Sequence, residues 1–232
     1  MGIGFSLAEE LVKVGNEVII CGRRKDKLAE AKKKLPQVTT AVCDVSKAED
    51  RETLYNWAIC KFPELNILIN NAGIQRRINF KNGIGELMNK EDEIDINLVS
   101  TIHLSAWFIP EFMKRKESAI INISSGLGFI PIAMMPVYCA TKAAIHSFSV
   151  TLRHQLKDTP VKVFEIIPPI VDTDLDRGAR GTTNRGIKPS EVGGAAIKAI
   201  EHDEFECVVG MASNLVQGSK TSFDQIFNNM NH

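Results

Sequence analysis

The stretch from Ser125 to Lys142 constrains the fold of this chain more than any other. It follows an apolar, strand-like run, AIINIS, and ends within a run of apolar and small residues, VYCATKAAIHSF, that is typical of a helix. Tyr138 and Lys142 are four positions apart, which places both side chains on one face of that helix, about one turn apart. The chain must therefore connect a buried strand to a helix that carries a phenol beside an amine.

These side chains suit proton transfer. A phenol has a pKa near ~10, but a neighbouring ammonium favours the phenolate and brings that pKa toward the working range. Lys142 would supply this charge to Tyr138, and the Ser125 hydroxyl, at the carboxyl end of a strand, could hydrogen-bond a substrate oxygen. A Tyr four positions before a Lys is usually only a surface pair on a helix, so the other motifs decide between the two interpretations.

Ser125 followed by Tyr138-x-x-x-Lys142 resembles the active-site signature of the short-chain dehydrogenases and reductases, which are NAD(P)-dependent oxidoreductases. The run ILINNAGI adds NNAG, a motif characteristic of that family. The resemblance implies that Tyr138 protonates a carbonyl oxygen as hydride arrives from the nicotinamide, while Ser125 polarises that oxygen. It also implies that Lys142 lowers the pKa of the phenol and holds the ribose, and that Asn97 holds a water that relays protons. An Asn97 that only kinks its helix by bonding its own backbone is the alternative.

The resemblance implies a single Rossmann domain over residues 1–232: an α/β fold with a doubly wound parallel sheet in a three-layer α/β/α arrangement. A chain of 232 residues, 44% hydrophobic and 24% charged, is long enough for one such domain or two small ones. We expect one domain.

The opening MGIGFSLAEELVKVGNEVIICGRR predicts a helix that Gly15 ends, followed by the strand EVIIC. In the resembled family a first strand and a TGxxxGxG loop precede this helix, and Gly2-Ile3-Gly4 resembles only the end of that loop. Glycines in such a loop let backbone N–H groups approach a pyrophosphate. We expect a truncated or alternatively started version of a complete enzyme, with the first strand missing from the centre of the order 3-2-1-4-5-6-7. A fold that closes the gap by rearrangement is the alternative.

The second strand ends at Gly22-Arg23-Arg24, where an enzyme choosing NAD usually has an acidic residue on the ribose. A guanidinium there can grip a 2′-phosphate, so the sequence favours NADP, with NAD possible. Asp26 is a weaker candidate for an acidic residue on the ribose, and it fits the first turn of the next helix. Simple solvation of both arginines is the other interpretation.

The resemblance assigns the other cofactor contacts by position. It implies that Asp44 and Val45 meet the adenine, although Asp44 could equally be a turn residue. It places the adenine ribose beside Asn71, Ala72 and Gly73, and the carboxamide beside Pro168, Ile170 and Thr173. The glycine-rich basic loop DRGARGTTNRGIKP is predicted to be a substrate lid.

Charge and cysteine usage limit the partners. Lys plus Arg equals Asp plus Glu at 28 each, so nothing points to nucleic acid or an anionic membrane. The five cysteines are scattered singly, which favours reduced thiols, no metal site and a cytoplasmic setting. We also expect no signal peptide and no membrane insertion.

Two functions remain open at this point. The first is a reductase or dehydrogenase for a small-molecule carbonyl or alcohol, which the resemblance implies is a homodimer or homotetramer. The second is a non-catalytic dinucleotide-sensing or scaffold protein that keeps the fold, inactive because the glycine-rich loop is truncated.

Overall fold

The computed structural model describes residues 2–88, 92–173, 175 and 186–231. Most of the predicted lid, residues 176–185, lies outside them. In the described part the strands are β1 (Ile19–Gly22), β2 (Thr39–Val42), β3 (Ile67–Asn70), β4 (Ser118–Ile123), β5 (Val161–Ile167) and β6 (Glu206–Val208). The helices are α1 (Ile3–Lys13), α2 (Lys25–Lys34), α3 (Ala48–Lys61), α4 (Gly85–Met88), α5 (Ser100–Phe112), α6 (Pro136–Gln155), α7 (Pro189–Glu201), α8 (Ala212–Thr221) and α9 (Phe223–Asn231).

All strand pairs are parallel, and they form two hydrogen-bonded sheets. One has the order β1-β2 and the other β3-β4-β5-β6. Within the described residues no ladder joins β1 to β3. The break falls between the two strands that were expected to flank a missing central strand, and every residue of β3 except Asn70 is only partly buried, whereas β4 is buried throughout.

Helices cover both faces of the four-stranded sheet. On one face, α1 and α7 bury Leu7 and Val192 against Phe164 of β5. On the other, α5 and α6 bury Phe112 and Leu152 in a second cluster with β4 and β5. Each such side chain contributes roughly 1.5–3 kcal/mol when fully buried. The predicted three-layer, doubly wound α/β architecture is confirmed.

Local details agree with the sequence to different degrees. The predicted helix that carries Tyr138 and Lys142 is present, begins with Pro136, whose fixed φ suits a first helical turn, and ends at Gln155. Ser46 is of a residue type that predicts a helix N-cap, but it does not cap α3: Lys47 precedes that helix, and the Ser46 hydroxyl donates to Asp44 Oδ1. No described helix combines the length and apolar character required to cross a bilayer.

Candidate active site

Tyr138 and Lys142 lie together on the buried face of α6, with 6% and 5% of their surface exposed. Lys142 Nζ is 5.7 Å from the centroid of the Tyr138 ring and donates a hydrogen bond of 2.7 Å to the Ile123 carbonyl. Burial lowers the pKa of Lys142 to about 8, although the carboxylates of Glu165 and Glu93 act in the opposite direction. The amine is therefore mainly charged at neutral pH, beside the phenol and at the carboxyl end of β4.

Ser125 opens a tight turn after β4. It is 7% exposed, and its Oγ accepts a hydrogen bond from the Leu127 N–H, which starts a 3₁₀ turn at Gly126–Gly128. A Cβ on Gly128 would lie 2.9 Å from the carbonyl carbon of Lys142, so only glycine lets this turn approach α6 so closely. The turn thus brings Ser125 toward the helix that carries the phenol and the amine.

We expect Gly128→Ala to destabilise the fold by about 1–3 kcal/mol, because the new methyl group meets backbone atoms of α6 that cannot rotate away. Gly194→Ala in α7 is the matched control, since nothing lies within 4 Å of its added Cβ. That variant should gain about 0.5–1 kcal/mol from the helix preference of Ala over Gly. Urea denaturation of both variants tests the difference, and equal effects would contradict the close contact.

Asn97 lies in a π-helical turn, Asp95–Val99, at the start of α5, and it is fully buried. Its Oδ1 accepts from the Ile74 N–H, and its Nδ2 donates to the Ile74 carbonyl and to Thr141 Oγ1. Thr141 Oγ1 in turn donates to the Tyr138 carbonyl. The side chain therefore joins the loop after β3 to the turn of α6 that carries Tyr138, and in these contacts it does not bond its own helix backbone. π-helical turns of this kind are frequent at functional sites.

The N-terminal glycines meet the NNAG segment. A Cβ on Gly4 would lie 2.5 Å from Asn71 Nδ2, and one on Gly2 would lie 3.6 Å from Thr173 Cγ2. Ile3 turns its side chain into the apolar core. The start of α1 thus lies between the ends of β3 and β5.

Gly73, in the loop after β3, lies beside Asn97 and Lys142. A Cβ there would lie 3.4 Å from Asn97 Oδ1 and 3.9 Å from Lys142 Nζ, while Ala72 beside it is exposed. The structure therefore brings the predicted ribose residues next to two of the predicted catalytic side chains.

The segment after β5 lies beside the turn that begins at Ser125. The buried Pro168 accepts a hydrogen bond from the Gly126 N–H, and the Ile170 carbonyl accepts one from Ile187. The Ile170 side chain is exposed, and Thr173 is buried.

The residues predicted to contact the 2′-phosphate and the adenine follow β1 and β2. Arg23 and Arg24 are exposed there. Burial opposes ionisation of Asp44, but hydrogen bonds from Ser46 and the charge of Arg23 outweigh it, so its pKa is lowered. Val45 is buried, and its carbonyl accepts from Arg51. Both Ser46 bonds go to Asp44 Oδ1, which matches the turn interpretation of Asp44.

Two buried carboxylates near Lys142 were missed in the sequence. Burial raises the pKa of Glu93 to about 7 against the opposing charge of Arg76, whose backbone N–H donates to Glu93 Oε1. Glu165 is fully buried and bonds His146. A signal was present for the second one, because Glu165 interrupts the otherwise apolar strand end VFEII and His146 follows Lys142 by one helical turn. The described residues contain no cluster of three or more His, Cys, Asp or Glu suited to a metal ion.

A parallel doubly wound sheet with Ser, Tyr, Lys and Asn gathered at the carboxyl ends of its strands defines a class of Rossmann-fold oxidoreductases. The family model for short chain dehydrogenases matches residues 1–184. An uncharacterised oxidoreductase of Bacillus subtilis, DltE, is 48% identical over 99% of this chain and 92% of its own length. The chain belongs to the short-chain dehydrogenase family.

Solved structures agree in fold. A short-chain dehydrogenase from Sphingobium yanoikuyae in complex with NADPH has a TM-score of 0.80 and 25% identity, covering 94% of this chain and 89% of that one. One from Burkholderia phymatum in complex with NAD has a TM-score of 0.84 and 19% identity, covering 99% and 92%. The described strands and helices are therefore arranged as in solved members of the family.

Proposed function

We propose that this protein transfers a hydride between a nicotinamide cofactor, preferably NADPH, and a small-molecule carbonyl or alcohol, with Tyr138 as the general acid and base. The observation that carries the proposal is the buried Lys142 amine, 5.7 Å from the Tyr138 ring, at the carboxyl end of β4.

The residues present fit a dinucleotide. Two structural neighbours are complexes with NADPH and NAD. The first-turn amides of α1 have no intrahelical acceptor, which suits a pyrophosphate. Gly4 and Gly73 have no side chain, which leaves room for a cofactor beside Asn71 and Lys142. Lys142 and the backbone of Asn71 to Gly73 would hold the two riboses, while Thr173 and Ile170 would hold the carboxamide. The cofactor would supply the hydride.

The protein's own groups would handle the proton. The Tyr138 hydroxyl gives its proton to the carbonyl oxygen during reduction and takes it back during oxidation. The Lys142 charge stabilises the phenolate left behind, and the Ser125 hydroxyl hydrogen-bonds the same substrate oxygen. Asn97, through Thr141, fixes the backbone of Tyr138, and a water at its turn would return the proton to the lysine.

The cofactor preference can be tested at the end of β1. We expect Arg23→Ala combined with Arg24→Ala to raise the KM for NADPH about 10–100-fold and to leave the KM for NADH nearly unchanged, because charged hydrogen bonds to a 2′-phosphate are lost. Lys33→Ala, an exposed charge at the far end of α2, is the control. An unchanged ratio of the two KM values would show that both arginines are merely solvated.

Among the described residues no strand pairs with β1 on its β3 side, and this favours a second candidate, a dinucleotide-binding protein without catalysis, because a sheet in two parts would hold the cofactor-binding residues less rigidly. Calorimetry with NADPH, followed by a panel of ketones, aldehydes and quinones, separates the two. Tight binding without turnover would support the second candidate.

We propose that the protein forms a homodimer or homotetramer through α5 and α6. Apolar side chains are exposed on these helices at Ile102 (37%) and Val150 (40%), and directly after α5 at Met113 (49%). Light scattering should give a multiple of the chain mass, and Val150→Glu should reduce it to that of one chain.

A further inference from the structure

A buried carboxylate lies beneath the helix that carries Tyr138 and Lys142. Glu165 of β5 is 0% exposed, and its Oε2 is 2.8 Å from His146 Nδ1, a distance at which the imidazole N–H can donate to the carboxylate. Its Oε1 has no hydrogen-bond partner among the described residues. A carboxylate in this setting is unfavourable unless a nearby charge compensates it, so packing alone does not account for Glu165.

Lys142, one helical turn before His146 on α6, can supply the compensating positive charge. Lys142 and His146 are at positions i and i+4 of α6 and both face the sheet. Lys142 donates to the carbonyl of Ile123 in β4. Ile123 pairs with Ile166 of β5, and Glu165 directly precedes Ile166 in that strand. The ammonium and the carboxylate therefore share one buried layer between α6 and the sheet.

We propose that Glu165, oriented by His146, is the buried counter-charge that keeps the Lys142 ammonium charged beside Tyr138. Glu165 is a positioning residue, since it acts through Lys142 and does not contact the substrate. Its catalytic consequence rests on the proposed function, whereas its effect on Lys142 does not.

The other groups around Lys142 are less suited to this role. Tyr138 shares its helix, and Glu93 faces it from the segment before the π-helical turn. Glu93 is partly neutralised by Arg76, whose Nε is 3.7 Å from Glu93 Oε2 and whose backbone N–H donates to Oε1. Of the two carboxylates that oppose the lowering of the Lys142 pKa by burial, Glu165 has the larger effect.

The test measures Lys142 directly, by NMR titration of protein labelled with carbon-13 at the lysine Cε, with the signal assigned by its loss in Lys142→Met. In Glu165→Gln the titration midpoint of Lys142 should fall by about one pH unit or more, because an opposite charge in a buried site is lost while shape is kept. Glu206→Gln, on the neighbouring strand at the ladder position beside Glu165, is the matched control and should leave the midpoint unchanged. An unchanged midpoint in a folded Glu165→Gln protein would overturn the proposal.

A second pair of variants serves if Glu165→Gln does not fold. His146→Leu removes the hydrogen-bond donor that orients Glu165, so the Glu165 charge should no longer be held toward Lys142 and the Lys142 midpoint should fall as well. His146→Gln keeps a donor and should restore the wild-type midpoint, and equal midpoints in these two variants would contradict the proposed role.

Turnover provides a separate readout. The alkaline limb of the kcat profile should move to lower pH by the same amount as the midpoint in Glu165→Gln. A midpoint that shifts in a protein without turnover on any carbonyl would refute the proposed function while leaving the assignment of Glu165 intact.

Discussion

Tyr138→Phe should lower kcat with NADPH and a carbonyl substrate by about 10²–10⁴-fold, the usual contribution of a positioned general acid. The variant removes one hydroxyl from a ring that is 6% exposed and leaves its apolar packing in place. The fold and the binding of NADPH should therefore persist, because Lys142, Gly4 and Gly73 are unchanged. Stopped-flow absorbance at the nicotinamide band measures the rate, and calorimetry measures the binding.

Tyr55→Phe is the matched control, because it makes the same change in the chain's other tyrosine. Tyr55 lies in α3, stacked on Trp107 and edge-on to Phe108. Loss of its hydroxyl should not alter kcat. Comparable rates for Tyr138→Phe and the wild type would remove Tyr138 from the mechanism.

Sequence alone predicts the parts of this site that depend on local pattern. Tyr138 and Lys142 share a helix face because of their spacing, and Ser125 follows a strand because AIINIS is a continuous apolar run. The layer order follows from the alternation of such runs with amphipathic segments. Each of these features is settled within about twenty residues of chain.

The missed features depend on contacts between distant segments. Glu165 and His146 meet only because α6 crosses β5, and the hydrogen bonds from Asn97 to Ile74 and Thr141 join three elements. Gly128 reads as an ordinary loop glycine until its distance to the Lys142 backbone is known. The residue type of Ser46 does not reveal that its hydroxyl donates to Asp44 Oδ1 and leaves the N-terminus of α3 without a side-chain cap.

Replacing Lys142 should affect activity and stability in opposite directions. Lys142→Met keeps the length of the side chain and removes the charge, so turnover should fall at least about 10²-fold as the phenol loses its neighbouring ammonium. The fold, however, should become more stable at pH 7. Burial lowers the folded-state pKa of Lys142 from 10.5 to about 8, and this shift corresponds to roughly 3 kcal/mol of unfavourable free energy for the charged amine.

The pH dependence follows from the same shift. Between about pH 8 and 10.5 the unfolded chain holds a proton that the folded protein has released, so the stability of the wild type rises with pH across this window. The advantage of Lys142→Met is therefore complete below pH 8 and disappears toward pH 10.5. About 1 kcal/mol of it is offset because the Ile123 carbonyl loses its donor. Thermal unfolding at pH 7 should show a Tm higher by about 4–8 °C, and at pH 10 a much smaller difference.

Lys162→Met is the control, because it makes the same substitution at a lysine whose pKa is shifted in the opposite direction. Hydrogen bonds to Asp203 and Glu117 raise the pKa of Lys162, so its contribution to stability is present below the unfolded pKa and is lost as pH rises through the folded one. This variant should be no more stable than the wild type at pH 7, and its kcat should be unchanged. A lower Tm for Lys142→Met at pH 7 would contradict this prediction. It would show that the charged amine stabilises the folded protein.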